Sequence, residues 1–300
     1  MKLSSDINFF YGKYSIEKSI DILAEAGFEA IDFSFMDKKY YAGETSDTEC
    51  KSHYTEIRKY AENKGISIVQ AHAPCLPSTD DEEKSEQLFE SIAKSVKNAS
   101  YLGAELIVVH PKDHIDYSST GGAERLFELN MDYYNRLKPY CEEYGIKIGV
   151  ENLSQYHKFS DVHSFFGCHR IEKSVCSTPE EFVRYIDSLD NEWFVACLDI
   201  GHAMIAGQNP VEIISALGGE RLKALHIHDN NGLRDWHTLP YLGGMADWDG
   251  ITDALRDINY SGNFSFEAGN FFNQFPKELY PECVKFMADI GKHIIKNFED

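Results

Sequence analysis

Along this 300-residue chain a short apolar run gives way to a stretch of helical periodicity, and this happens eight times. The runs are Lys2–Ile7, Glu29–Phe35, Ile66–Ala71, Glu105–Val109, Ile146–Val150, Trp193–Leu198, Ala224–Ile227 and Gly262–Phe266. Between them lie helical patterns. Ser15 to Ala26 carries Ile16, Ile20, Leu23 and Ala24 on one face and stops at Gly27. Thr48 to Asn63 and Glu83 to Leu102 follow, the latter with Leu88, Ile92, Val96 and Ala99 in register. Ala123 to Tyr144 contains Pro139, which predicts a kink or a split-off last turn. Thr178-Pro-Glu-Glu181 is a helix start, with Thr as N-cap, Pro at the first position and Glu at the third. Asn209-Pro210 opens a helix to Leu217, and Trp248 to Ile258 is another. The last helix places Leu279, Cys283, Phe286, Met287, Ile290 and Ile294 on one stripe. Strands alternating with helices require a parallel sheet. Eight such units with no composition break predict one α/β domain over residues 1–300, a (β/α)8 TIM barrel rather than an open doubly wound sheet.

A barrel of this kind exposes its chemistry at the C-terminal ends of the strands. His72, His110, Glu151, Asp199 and Glu267 directly follow their runs, and the seventh run delivers His226, His228 and Asp229 in one step. Any one of these, taken alone, is better explained as a cap, a turn former or a supporting residue. Strands three to eight all end this way, which caps do not explain, and in a barrel those ends converge on one pocket. Imidazole and carboxylate donors suit Zn²⁺, Mn²⁺, Fe²⁺ or Co²⁺. Two further patterns add donors: Asp199-Ile-Gly-His202 in the turn after the sixth run, and Asp235-Trp-His237 in the loop after the seventh.

Charge narrows the partner. With 49 acidic and 29 basic side chains the formal net charge is -20, which argues against nucleic acid, since phosphate binding is driven by Lys and Arg. Seven cysteines, at 50, 75, 141, 168, 176, 197 and 283, form no CxxC pair and suit reduced thiols better than a disulfide framework. The start Met1-Lys-Leu-Ser-Ser-Asp6 lacks a signal-peptide core, and no apolar run is long enough to span a bilayer. The expectation is a soluble, cytoplasmic protein with a small-molecule partner; a homo-oligomer is allowed.

Five segments together resemble the xylose isomerase-like barrel superfamily, which includes sugar isomerases and epimerases, inosose dehydratase-like proteins and endonuclease IV. They are Glu151-Asn152, Leu198-Asp-Ile-Gly-His202, His226-Ile-His-Asp229, Asp235-Trp-His-Thr-Leu-Pro-Tyr-Leu-Gly-Gly244 with Asp247-Trp248, and Tyr260-Ser-Gly-Asn-Phe-Ser-Phe-Glu267. The resemblance implies a divalent metal (Mn²⁺, Zn²⁺ or Co²⁺) held by Glu151, Asp199, His226 and Glu267, with one ion per chain favoured over two or three. In the epimerase branch the two metal-holding glutamates are also the acid/base pair, and Glu151 and Glu267 match them. That implies a sugar, polyol or keto-sugar isomerase or epimerase working by glutamate-mediated proton transfer through a metal-bound enediolate.

Two other readings stay open. An endonuclease IV-like phosphodiesterase with several zinc ions would recruit His72, His110, His202, Asp235 and His237. The same positions suit a second metal or substrate contacts in the sugar branch, and His202 fits either role. A non-catalytic sugar-binding barrel is the third. The ketose 3-epimerase pattern has an Arg six residues after the seventh-strand ligand, where this chain has Gly232, with Arg234 two further on. His228 reads as a substrate or supporting residue toward the rim, and Asp229 as the partner that orients an imidazole.

Weaker features complete the reading. Asn152–Ser177, rich in His, Phe and Tyr, is either a lid or a rim loop. Asn8-Phe-Phe-Tyr11 with Phe35 forms an apolar wall for a sugar ring or ordinary packing at the mouth. His53 and His293 read as surface residues, and Lys112, just past His110, either meets a substrate carboxylate or phosphate or, the plainer reading, is solvated.

Overall fold

Eight parallel strands stand side by side: β1 (Leu3–Asp6), β2 (Ala30–Ser34), β3 (Ser67–His72), β4 (Leu106–Val109), β5 (Lys147–Glu151), β6 (Phe194–Asp199), β7 (Leu222–His226) and β8 (Phe264–Phe266). This computed structural model describes residues 1–43, 45–154 and 173–299. The strand order is β7-β6-β5-β4-β3-β2-β1-β8. The ring closes just past β7, where Ile227 donates its N–H to Ser265 at 2.8 Å and accepts from Glu267 at 3.0 Å.

The helices in chain order are α1 (Ile16–Ala26), α2 (Lys38–Tyr41), α3 (Asp47–Asn63), α4 (Glu82–Leu102), α5 (Gly122–Tyr144), α6 (Pro179–Asp187), α7 (Ile200–Ile205), α8 (Pro210–Arg221), α9 (Trp248–Asp257), α10 (Gly269–Phe272) and α11 (Tyr280–Glu299). Local chemistry sets their ends. Ser15 caps α1, Ser46 and Glu49 form a reciprocal capping box at α3, and Thr178 caps α6 ahead of Pro179. α1 terminates at Gly27, whose φ of 93° costs a side-chain-free residue little.

Four expectations need correcting. α2, α7 and α10 are too short to show a period and were not legible. α5 runs through Pro139 to Tyr144 without splitting off its last turn. Its buried stripe, Tyr133, Tyr134, Leu137 and Cys141, holds the helix where the proline has removed one donor. α8 runs past Leu217 to Arg221, with non-helical geometry at Gly218. On α11, Cys283, Met287, Ile290 and Ile294 are buried, but Phe286 and the preceding Leu279 are 48% and 44% exposed and lie off the packed stripe.

Strand alternation decides which side chains enter the barrel. Inside are Gly149 and Glu151 of β5, Cys197 and Asp199 of β6, Ala224 and His226 of β7, and Ser265 with Glu267 of β8. Leu106, Val108, Cys197 and Ala224 form a small apolar cluster of their own, and Gly149 keeps room for it: a Cβ there would lie 3.3 Å from that of Cys197. The interior is therefore filled below the polar layer. Outward-facing residues such as Leu198, Leu225, Phe264 and Phe266 join the helices in the main core. Among the described residues no helix is long and apolar enough to cross a membrane.

Candidate metal centre

At the C-terminal mouth the inward carboxylates and imidazoles meet. Donor atoms of Glu151, Asp199, His226 and Glu267 all lie within 4.8 Å of one another. His226 Nδ1 is 3.0 Å from Glu151 Oε1, 3.2 Å from Glu267 Oε2 and 4.0 Å from Asp199 Oδ2. Ligands about 2.1 Å from a tetrahedral ion sit roughly 3.4 Å apart, so the spacing suits a divalent metal. Glu151 faces a second group with its other oxygen: Oε2 is 2.9 Å from His110 Nε2 and 3.5 Å from His72 Nε2. Although buried, it meets neither in hydrogen-bond geometry. A third group lies beside these, His237 Nε2 at 2.8 Å and His202 Nε2 at 3.6 Å from Asp235 Oδ2.

The imidazoles are fixed from behind. His72 Nδ1 is 2.7 Å from the Ala73 carbonyl, His202 Nδ1 is 3.0 Å from that of Asn152, and His237 Nδ1 is 2.7 Å from that of Glu267. A carbonyl only accepts, so each Nδ1 carries a proton and each Nε2 is left facing a carboxylate. Nε2 donates to that carboxylate while the ring is protonated, and can turn a lone pair to a metal once that proton is displaced. His226 is reversed: Nε2 lies 3.3 Å from Asp32 Oδ2 and Nδ1 points into the cluster. Second-layer acceptors of this kind hold metal-binding histidines in one tautomer. Buried polar groups aimed at one another, with Glu151 Oε2 and Asp32 Oδ1 outside hydrogen-bond geometry, fit a bound divalent ion.

Charge balance inside the site is strong. Burial would raise the Glu151 carboxyl, but His226 and His110 hold it well below the usual range. Asp199 is likewise pulled down to about 2 by His202 and His228 against the cost of its burial. Burial works to lower His237, yet the hydrogen bond it donates to Asp235, with the charges of Glu267 and Asp199, raises it to about 10. Asp6, missed in the sequence, is pushed up to about 7 by burial and by Asp32 and Glu267. Asp32, hydrogen-bonded by Gln70, was missed too. So was Cys75, an exposed thiol 3.9 Å from His72 Nδ1. Asp6 ends β1 inside a polar-looking run and Asp32 lies in the middle of β2, so neither stands out as a strand ending, and nothing local marks Cys75.

Other expectations change. His228 is fully buried rather than at the rim. It lies against Gly201, where any Cβ would clash with its ring, and it donates Nε2–H to Asp199 at 2.9 Å. It supports Asp199 and is closed to substrate. Among the described residues Asp229 orients no imidazole. Its carboxylate accepts from the backbone of Asn230, Met245 and Ala246 and from Trp248 Nε1 at 2.9 Å, in space that Gly244 leaves open. Asp229→Ala should therefore lose about 2–4 kcal/mol in denaturant unfolding, because it strands these donors. Lys112 is buried, and His53 is half-buried and stacked on Tyr40 at 4.0 Å; His293 is exposed. Phe9, Phe10 and Phe35 are core residues, whereas Tyr11 is 57% exposed. Most of the proposed lid, including His157, Phe159, His163, Phe165, Phe166, His169 and Arg170, lies outside the described residues.

Fold and site define a (β/α)8 barrel with a carboxylate–imidazole centre at its mouth. The chain belongs to the xylose isomerase-like TIM barrel family, whose profile matches residues 20–290. It is similar to the D-psicose 3-epimerase of Enterocloster bolteae, 24% identical over 71% of this chain and 65% of that one. It is also similar to a probable endonuclease 4 of Lysinibacillus sphaericus, 23% identical over 86% of this chain and 80% of that one. Among solved structures, IolI protein with a bound zinc atom superposes with a TM-score of 0.77 at 17% identity, covering 99% of both chains.

Proposed function

We propose that this protein is a divalent-metal-dependent sugar isomerase or epimerase in which Glu151 and Glu267 move the proton. The observation that carries the reading is the arrangement of four donors from four strand ends, Glu151, Asp199, His226 and Glu267, around one point. Those residues would hold the ion, which when bound supplies positive charge for vicinal sugar oxygens. Glu267 is 23% exposed and Glu151 only 1%, so the first faces the open cleft and the second lies beneath it. A base on one side of a carbon next to a carbonyl and an acid on the other interconvert epimers through an enediolate. Similarity to a D-psicose 3-epimerase supports a ketose as the substrate class.

Incubation of metal-loaded protein with ketoses in D₂O tests this directly. Deuterium should enter the sugar at the carbon that epimerises; a broad ketose and polyol panel without exchange overturns proton transfer. Asp32 enters the same picture as the group that fixes His226. Asp32→Ala should weaken metal binding about 10–100-fold, read by competition with a chromogenic chelator.

A second reading has its own observation. The groups His72–Glu151–His226 and His202–Asp235–His237 add donors for further ions, and endonuclease 4 relatives share the family. Three ions per chain, with cleavage of an abasic-site duplex that chelation abolishes, would establish a phosphodiesterase instead. The net charge of -20 weighs against that substrate.

A further inference from the structure

In a chain with 49 acidic side chains, a buried lysine without a carboxylate partner is unexpected. Lys112 is 6% exposed. Its ammonium donates to the neutral Ser85 hydroxyl at 2.8 Å and lies 5.0 Å from the centre of the Tyr133 ring. No carboxylate among the described residues reaches ion-pairing distance of it. Ser85 takes one of three ammonium hydrogens, leaving two without an acceptor among those residues.

The position is also built. Buried Asn130 clamps the Lys112 backbone on both sides, accepting from its N–H at 2.7 Å and donating to its carbonyl at 2.9 Å. Neighbouring Asp113 is tied to Ser78, and the carboxylates that act on the ammonium, Asp132 and Glu86, do so from beyond ion-pairing distance. Lys112 lines the same cleft, about 400 Å³, as His110, Glu151, His202, Asp235, His237 and Glu267, and it is the one Lys or Arg among the described lining residues. A buried cation held in place and short of an anion is a recognition element for one.

We propose that Lys112 is an anion-binding residue of this cleft, and that the sugar taken there carries a carboxylate or phosphate group away from the reacting carbon. The proposal rests on the sugar reading above and narrows its substrate class. Calorimetric titration of metal-loaded protein with D-fructose, D-fructuronate and D-fructose 6-phosphate tests it without requiring turnover. At least one anionic probe should bind about tenfold or more tightly than D-fructose. Whichever of the two binds tighter identifies the group as carboxylate or phosphate. Lys112→Met should erase the preference and Lys112→Arg should keep part of it, each judged against the variant's own D-fructose affinity. If Lys112→Met does not fold, Ser85→Ala, which frees the ammonium from its anchor, should reduce the preference.

Equal affinity for all three probes overturns the proposal. So does a preference that survives Lys112→Met, or a variant that loses only thermal stability, which would make Lys112 a strut between α4 and α5. Anion preference without deuterium exchange keeps the subsite and removes the epimerase reading; exchange without anion preference does the reverse.

Discussion

Glu151→Gln should lose bound metal and proton exchange together, whereas Glu267→Gln should lose exchange and keep a measurable share of the metal. The difference follows from how many groups each carboxylate serves. Glu151 is shared: Oε1 faces His226 at 3.0 Å and His202 at 3.6 Å, while Oε2 faces His110 and His72. An amide in its place removes one anion from a buried set of imidazoles and points an NH2 group at one of them, so two donor groups fail at once. Glu267 meets the centre through a single described ion pair, to His226 at 3.2 Å, and stands partly in the open cleft. Its loss leaves Glu151, Asp199 and His226 in place as donors. Exchange should fall about 10²–10⁴-fold in Glu267→Gln, the usual contribution of a positioned acid or base. Metal analysis and deuterium incorporation on the same preparations check both parts. A Glu267→Gln protein that exchanges at the wild-type rate removes Glu267 from the chemistry. A Glu151→Gln protein with full metal content shows that Glu151 is not the shared donor.

How much of this was readable in advance depends on the kind of information involved. The barrel was legible because the hydrophobic period switches eight times, and a period is a one-dimensional property. The donor set was legible because barrel topology converts the end of each strand into a place in one pocket. The rule failed at the first two strands. Asp6 and Asp32 sit within short polar-looking runs, Leu3-Ser-Ser-Asp6 and Ala30-Ile-Asp-Phe-Ser34, and there a carboxylate does not stand out as an ending. The carbonyls that fix the histidines, from Ala73, Asn152 and Glu267, have no sequence signature, since every residue has one. Burial of Lys112 and His228 depends on Asn130 and Gly201, which approach from other elements. The motif-level expectation for Asp229 failed for a related reason: apart from the adjacent Asn230, its donors are the backbone of residues 245–246 and an indole on α9, which local sequence does not bring to it.

The metal-free protein should lose stability as pH rises, and metal should restore most at the alkaline end. His237, at about 10 in the folded state against 6.5 ordinarily, binds a proton more tightly when folded. Its contribution is complete below about 6.5 and is lost as pH climbs through 10. His226, His202 and His72 are all raised, each by neighbouring carboxylates or thiols that outweigh the effect of burial, and they act in the same sense. Asp6 and Glu181, both raised to about 7 chiefly by burial, also fold more favourably when protonated and withdraw stability between about 4 and 7. Depressed groups oppose this: Glu151 and Asp199, whose contribution is already complete above the ordinary carboxylate range, and Cys75, lowered to about 7, with His53 and His114, which are fewer than the raised groups of the site. Metal inverts the dependence, since it needs the imidazoles unprotonated and displaces protons as it binds. Zinc at about a hundred times its dissociation constant adds roughly 2.7 kcal/mol. For a chain of this size that raises the melting midpoint by about 4 °C. The increment should be large near pH 8.5 and small near about pH 5.5, where protons compete for the same nitrogens. Melting curves with zinc or with chelator at the two pH values measure it. An increment equal at both, or larger in acid, would mean that the histidines are not the ligands and would leave the centre to its carboxylates alone.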